Sequence, residues 1–146
     1  MLKGIIFDFN RTLYDPEAGK LFPGVKELLK DLGGKGIKRG LISFGSLEKE
    51  QLIKSLGLPP FLDWYTVVLE KNPAHFQMFC KKFNIKPEEV AVVGDRMVEE
   101  ITVGKRLGMK TMWLKRGAYA NEITNISPDF IIDSLAEIPF VIDALR

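Results

Sequence analysis

Lys3-Gly4-Ile5-Ile6-Phe7-Asp8-Phe9-Asn10-Arg11-Thr12-Leu13 sets an apolar run against a polar one. Gly4 to Phe7 are apolar with two β-branched isoleucines, the pattern of a strand buried on both faces, and the run stops at a carboxylate. Such a strand delivers Asp8 to its own C-terminal end. In an open parallel sheet that edge is where ligands bind, so an acid there followed by Asn, Arg and Thr is a candidate reactive centre. The alternative on these residues alone is a strand end at which Asp8 caps a turn.

Similar runs recur downstream. Lys38 to Phe44 reads as a second strand around Leu41-Ile42 and ends in Ser43-Phe44-Gly45-Ser46. Tyr65 to Leu69 is β-branched and aromatic enough for a third, followed by Glu70-Lys71-Asn72. Val90 to Val93 forms a fourth that ends, like the first, at an acid, in Gly94-Asp95. Lys110 to Leu114 and Asp129 to Asp133 read as a fifth and a sixth. Helical spacing fills the intervals. Pro23 opens a helix with Val25, Leu28, Leu29 and Leu32 on one face, and Ser46 is positioned to cap a helix from Leu47 to Leu56. Pro73 starts a third, carrying Phe76, Phe79, Cys80 and Phe83; Met97 to Leu107 is a fourth, and Ser134 caps the last. Tyr14 to Phe22 and Ala118 to Pro128 read as loops. Alternating strands and helices predict a three-layer α/β/α sandwich with a mainly parallel, Rossmann-like sheet. Without a linker or internal repeat, residues 1–146 read as a single domain.

A net charge of +2 without a basic block gives no footprint for nucleic acid or an anionic membrane. Lys81-Lys82 and Lys115-Arg116 read as solvated faces. The single cysteine, Cys80, rules out an intrachain disulfide or cysteine metal site, and reads as a core or half-buried thiol in a reducing compartment. Met1 leads straight into a strand pattern, and nowhere do about eighteen apolar residues run together, so the expected location is the cytoplasm.

Asp8 with Asn10 and Thr12, Ser43, Lys71, and Asp95 with Glu99 and Glu100 all stand at or just beyond strand ends, which parallel strands gather on one rim. Two carboxylates facing one another repel unless a cation lies between them. Hard oxygen ligands with spare water positions suit Mg²⁺, which in turn suits a phosphate ligand. A lysine and a serine hydroxyl would complete an anion pocket. The assembly fits metal-assisted phosphoryl transfer to a carboxylate nucleophile.

These residues resemble the haloacid dehalogenase superfamily of phosphohydrolases. The family's first motif, an apolar strand followed by Asp-x-Asp-Gly-Thr-Leu, is similar to Phe7-Asp8-Phe9-Asn10-Arg11-Thr12-Leu13. The second motif is similar to Leu41-Ile42-Ser43, the third to Lys71-Asn72-Pro73, and the fourth to Val92-Val93-Gly94-Asp95 with Glu99 or Glu100 behind. The resemblance implies that Asp8 is the nucleophile forming an aspartyl-phosphate, that Ser43 and Lys71 bind the phosphoryl group, and that Asp95 holds Mg²⁺. It also implies that Glu100, rather than Glu99, supports the metal. The position two after the nucleophile gives the metal its backbone carbonyl and supplies a carboxyl as general acid and base; here it is Asn10, which keeps the carbonyl and loses the acid. Arg11 replaces the usual glycine, adding bulk and fixed charge, and reads as turned to solvent rather than toward a substrate phosphate.

Asp8 to Ser43 is 35 positions and Ser43 to Lys71 is 28, each filled by one helix and one strand, so no cap domain is expected. An uncapped site is open to a phosphorylated macromolecule, or to a small phosphate covered by a second subunit of a homo-oligomer. The expected activity is Mg²⁺-dependent hydrolysis of phosphate monoesters, slowed by loss of the acid, since general acid-base help is worth ~10²–10⁴-fold. The alternative is a non-catalytic domain that binds a phosphorylated ligand; cleavage of carbon-halogen or phosphonate bonds is a weaker third reading. Arg96 reads as an exposed helix-start residue, His75 as a surface or half-buried one, and Trp64 and Trp113 as packing residues.

Overall fold

The computed structural model describes residues 1–145. The chain runs β1 (Gly4–Phe7), a hairpin of β2 (Tyr14–Asp15) and β3 (Lys20–Leu21), α1 (Val25–Gly34), β4 (Lys38–Phe44), α2 (Leu47–Ser55) and β5 (Trp64–Val68). It continues with α3 (Pro73–Phe83), β6 (Val90–Gly94), a π-helical turn (Met97–Ile101) leading into α4 (Thr102–Arg106), β7 (Lys110–Leu114), β8 (Phe130–Ile132) and α5 (Ile138–Ala144). Six strands form one parallel sheet in the order β5-β4-β1-β6-β7-β8. β1 and β6 lie at its centre, and every residue of both is buried.

Strand side chains alternate between the two faces, and the core divides accordingly. Ile5, Phe7, Leu41, Ala91 and Val93 pack with Val25, Leu29 and Leu32 of α1 and Ile138 and Ile142 of α5. Ile6, Ile42, Val90 and Val92 pack with Phe76, Phe79 and Cys80 of α3. This is the three-layer arrangement expected from the strand and helix patterns. Phe79 lies so close over the sheet that a Cβ on either Gly4 or Gly40 would come within 2.7 Å of its ring. Two strands without side chains at those points let α3 settle onto β1 and β4.

Several local expectations are corrected. The stretch read as a loop from Tyr14 contains the β2–β3 hairpin, tied by Phe22 N–H to the Leu13 carbonyl at 2.9 Å and by the stacked rings of Phe9 and Tyr14. Two-residue strands are too short to show alternation. Pro23 precedes the first helix rather than opening it, because Gly24 intervenes in the left-handed region at φ 82°. Ser46 stands before α2 yet its hydroxyl accepts no backbone amide, whereas Asn72 and Ser134 cap as their types suggest. The third strand begins at Trp64 and stops at Val68, before Leu69. Among the described residues no cap domain interrupts this order, and no helix is long and apolar enough to cross a membrane.

Candidate active site

Register brings the first acids together. Phe7 pairs with Leu41 on one side and Val93 on the other, and the Asp8 amide donates to the Val93 carbonyl at 3.0 Å, so the ladder continues one step past β1. Asp8 therefore emerges beside the ends of β4 and β6, where Ser43 and Asp95 stand. Glu100 arrives on the π-helical turn and is buried. A Cβ at Gly94 would lie 2.7 Å from Glu100 Oε2, so glycine at the end of β6 makes the room that this carboxylate occupies. Asp8, Asp95 and Glu100 each offer an oxygen, all within 4.8 Å of one another.

Lys71, between β5 and α3, closes this group. Its Nζ lies 2.5 Å from Asp8 Oδ1 and 2.7 Å from Glu100 Oε1, and its side chain is only 2% exposed. Burial alone would weaken its hold on the proton, but attraction to Asp8 and then Glu100 overcomes that and raises its pKa. The lysine stays charged. Burial, then repulsion from Asp8, pushes the Glu100 carboxyl up to about 8 against the pull of Lys71. Burial and then Asp8 likewise push Asp95 up to about 6, opposed by Arg11. Too much negative charge is confined here for its own cations. Asp95 Oδ1 and Glu100 Oε2 are moreover buried without any hydrogen-bond partner. Two orphaned carboxylate oxygens beside a third acid form a donor set that fits a hard divalent cation such as Mg²⁺.

The residues expected at position 10 and beyond behave differently. Asn10 Oδ1 accepts a hydrogen bond from Lys49 Nζ at 3.1 Å, and the same ammonium lies 5.2 Å from the Phe9 ring centre. Burial lowers the Lys49 pKa, partly offset by Asp8. Sequence reasoning missed Lys49, although a lysine in the first turn of a helix that leaves the rim directly after Ser43 was the available signal. Ser43 is 1% exposed, and its hydroxyl donates to the Phe44 carbonyl at 3.0 Å. Thr12 is fully buried, its hydroxyl unpartnered.

Arg11 does not turn to solvent. Its Nε donates to Asp95 Oδ2 at 3.0 Å, and its guanidinium lies 4.7 Å from the centre of the Tyr119 ring. The backbone at Arg11 has φ 61°, a conformation that glycine adopts at no steric cost and arginine does not. Arg96 is not an exposed helix-start residue either: it pairs with Glu122 at 3.1 Å and stacks 3.8 Å from the other arginine's partner, Tyr119. Glu99 faces Arg96 at 3.5 Å, outside the acid group. Arg116 leaves the solvated face assigned to it, lying 4.0 Å from the Phe22 ring centre and donating to the Thr12 carbonyl. His75 caps α3 by accepting the Asn72 amide. Trp113 packs in the core and holds the Asp95 carbonyl through Nε1 at 3.1 Å, while Trp64 packs against Phe79.

A family model described as haloacid dehalogenase-like hydrolase matches residues 9–108. A glyceraldehyde 3-phosphate phosphatase of Pyrococcus furiosus is 33% identical over 130 residues, which cover 85% of this chain and 54% of that protein. The chain spans about half the length of the curated relatives it matches. Among solved structures, a 2-haloacid dehalogenase from Pseudomonas syringae superposes with a TM-score of 0.84 at 16% identity, covering 100% of both chains. The hydrolase YfnB from Bacillus subtilis, solved with magnesium bound, also gives 0.84, at 13% identity, over 97% of this chain and 99% of that one. At such identities these superpositions speak for the fold alone.

Proposed function

This chain belongs to the haloacid dehalogenase-like hydrolase family, and from that footing we propose that it hydrolyses phosphate monoesters with Mg²⁺, slowly, through an aspartyl-phosphate on Asp8. The observation that carries the reading is the placement of Lys71 across Asp8 and Glu100, with Asp95 completing a buried trio of acids. An Asp8 oxygen attacks phosphorus and the ester P–O bond breaks, the departing alkoxide taking a proton from solvent. Water then cleaves the aspartyl-phosphate, returning the Asp8 carboxylate and releasing phosphate. Lys71 keeps the Asp8 oxygen oriented and offsets charge on the phosphoryl group, with the Ser43 hydroxyl as a further donor once it leaves the Phe44 carbonyl. Asp8, Asp95, Glu100 and the Asn10 carbonyl would hold Mg²⁺, which when bound supplies positive charge to the phosphate oxygens. The Asn10 amide has no proton to give near neutral pH, and slow turnover follows. Small phosphorylated molecules are the substrate class, in keeping with the name of the Pyrococcus furiosus relative. A cytoplasmic setting goes with Cys80 as a buried free thiol.

The test is phosphate release from a panel of monoesters with and without Mg²⁺, beside Asp8→Ala. Release that requires Mg²⁺ and disappears in the variant is expected. The Lys49 ammonium on Asn10 favours one second reading, a domain that binds phosphorylated ligands without turning them over. Saturable binding with no phosphate released over hours would decide for that one.

A further inference from the structure

We propose that a second anion-binding subsite adjoins the Asp8 rim, in a cavity of about 330 Å³ between the β2–β3 hairpin and the segment after β7, and that it receives the carboxylate of a small phosphorylated acid. The proposal rests on the reading above for the phosphate end of the ligand and adds the other end.

Two guanidinium groups line this cavity, those of Arg11 and Arg116. Arg11 hydrogen bonds through Nε alone, to Asp95, which leaves both Nη atoms without an acceptor among the described residues. Arg116 donates one bond, from Nη2 to the Thr12 carbonyl at 3.3 Å, and its Nε is buried with no partner. Burial lowers its pKa despite the attraction of Asp95 and Asp15. Acids are present on the same cavity, yet neither is used: Asp15 and Glu17 form no ion pair with either arginine. Asp15 Oδ1 instead accepts the amides of Glu17 at 3.0 Å and Ala18 at 3.3 Å, and Glu17 is exposed.

A buried donor without an acceptor is a cost the fold would shed on binding an anion. The planar fork of a guanidinium matches a carboxylate two bonds at a time, and Phe22 and Pro16 in the same wall offer apolar contact to a short carbon skeleton. Arg11 ties this cavity to the reaction centre, because its Nε touches Asp95, one of the three clustered acids. A phosphate at Asp8 and a carboxylate at the arginines can thus belong to one small molecule.

The test compares 3-phosphoglycerate with glycerol 3-phosphate, which differ in a carboxylate against a hydroxymethyl group. Affinities are measured by calorimetry on Asp8→Asn protein with Mg²⁺, and phosphate release is followed with wild type. Binding of 3-phosphoglycerate at least about tenfold more tightly is expected, the size of one charge-assisted hydrogen bond. Arg116→Gln should bring the ratio of affinities toward one, Arg116→Lys should restore part of it, and Arg11→Gly should lower it independently of the Arg116 variants. Equal affinities in the parent protein, or a ratio unmoved by every substitution, would overturn the subsite. Preferential binding without any release keeps the subsite and removes the hydrolysis; equal release and equal binding of both esters does the reverse. If neither ester binds nor reacts, both readings fall.

Discussion

Lys71→Met is the perturbation whose outcome the geometry constrains most. The contact of the ammonium with the Asp8 carboxylate is worth about 6 kcal/mol at an effective dielectric near 20, before desolvation is counted, and its contact with Glu100 reaches that size only where Glu100 is ionised. Burying these charged groups cancels much of that gain, and breaking such a pair from one side costs about 3–5 kcal/mol. Methionine keeps the length of the side chain and gives up its charge, including the ammonium's place 5.1 Å from the Phe44 ring centre, so the loss reports charge rather than a hole. For a chain of this size that corresponds to a fall in Tm of roughly 6–20 °C.

The pH dependence separates charge from packing. Lys71 is raised above its ordinary 10.5, so its contribution to wild-type stability is fully present below that pH and constant across the range tested. Glu100 sits near 8 in the folded protein against an ordinary 4.5, so the native state holds a proton that the unfolded chain releases, and stability declines as pH rises between those values. Without its counter-ion Glu100 holds its proton to a still higher pH. The deficit of Lys71→Met should then be constant below about pH 8, where Glu100 is protonated in both proteins, and grow above it by up to about 1.4 kcal/mol per pH unit. Urea unfolding followed by tryptophan fluorescence, in metal-free buffer at pH 6 and pH 9, measures it. A deficit of the same size at both pH values would refute the reasoning.

Four further outcomes follow from the same rim. Asn10→Asp restores a carboxyl for proton transfer and should raise the rate of phosphate release by ten- to a hundredfold, within the ~10²–10⁴ range for such help; a variant no faster than wild type counts against that role. Arg11→Gly removes a cation from Asp95 and relieves a φ of 61°, so Mg²⁺ should bind about tenfold more tightly by calorimetry; unchanged affinity would mean that the pair does not compete with metal. Because Asp95 sits near 6 and Glu100 near 8 without metal, bound Mg²⁺ must displace protons, and its affinity should climb steadily from pH 5 to pH 8. Gly94→Ala puts a methyl 2.7 Å from Glu100 Oε2 and should cost about 1–3 kcal/mol in urea unfolding while weakening Mg²⁺ binding; neither change would mean that Glu100 can move aside freely.

The sheet was legible because buried parallel strands are short apolar runs, and four of the six in this chain stop at a chemically distinctive residue. Two of the three clustered acids, Asp8 and Asp95, were legible for the same reason, since register in a parallel sheet places equivalent strand ends side by side, while Glu100 came from the family resemblance. What escaped is decided by partners remote in sequence. Arg11 and Arg96 are turned inward by Tyr119, and Arg116 by Phe22, contacts that no local spacing announces. Glu99 and Glu100 are neighbours on a π-helical turn, where α-helical spacing does not say which of the two faces the rim. The hairpin after β1 is held by a ring stack and a few backbone bonds, too short a unit to carry its own pattern.

The departures from the family's first motif all push the rim in one electrostatic direction. Asn10 in place of an acid removes a negative charge and Arg11 adds a guanidinium where glycine is usual, while Lys49, from α2, sets its ammonium on the Asn10 amide. Had only the acid been lost, the site would be a weakened version of a hydrolase, still dependent on metal to gather anions. Here the loss is coupled to an added guanidinium on Asp95, held in a backbone conformation that arginine adopts only at a cost. A strained arginine persists where the surrounding structure over-determines it, and Asp95 and Tyr119 do so. Under the proposed assignment of roles, a rim that lacks the proton donor and carries this guanidinium would select its ligand by a second anionic group rather than by its leaving group.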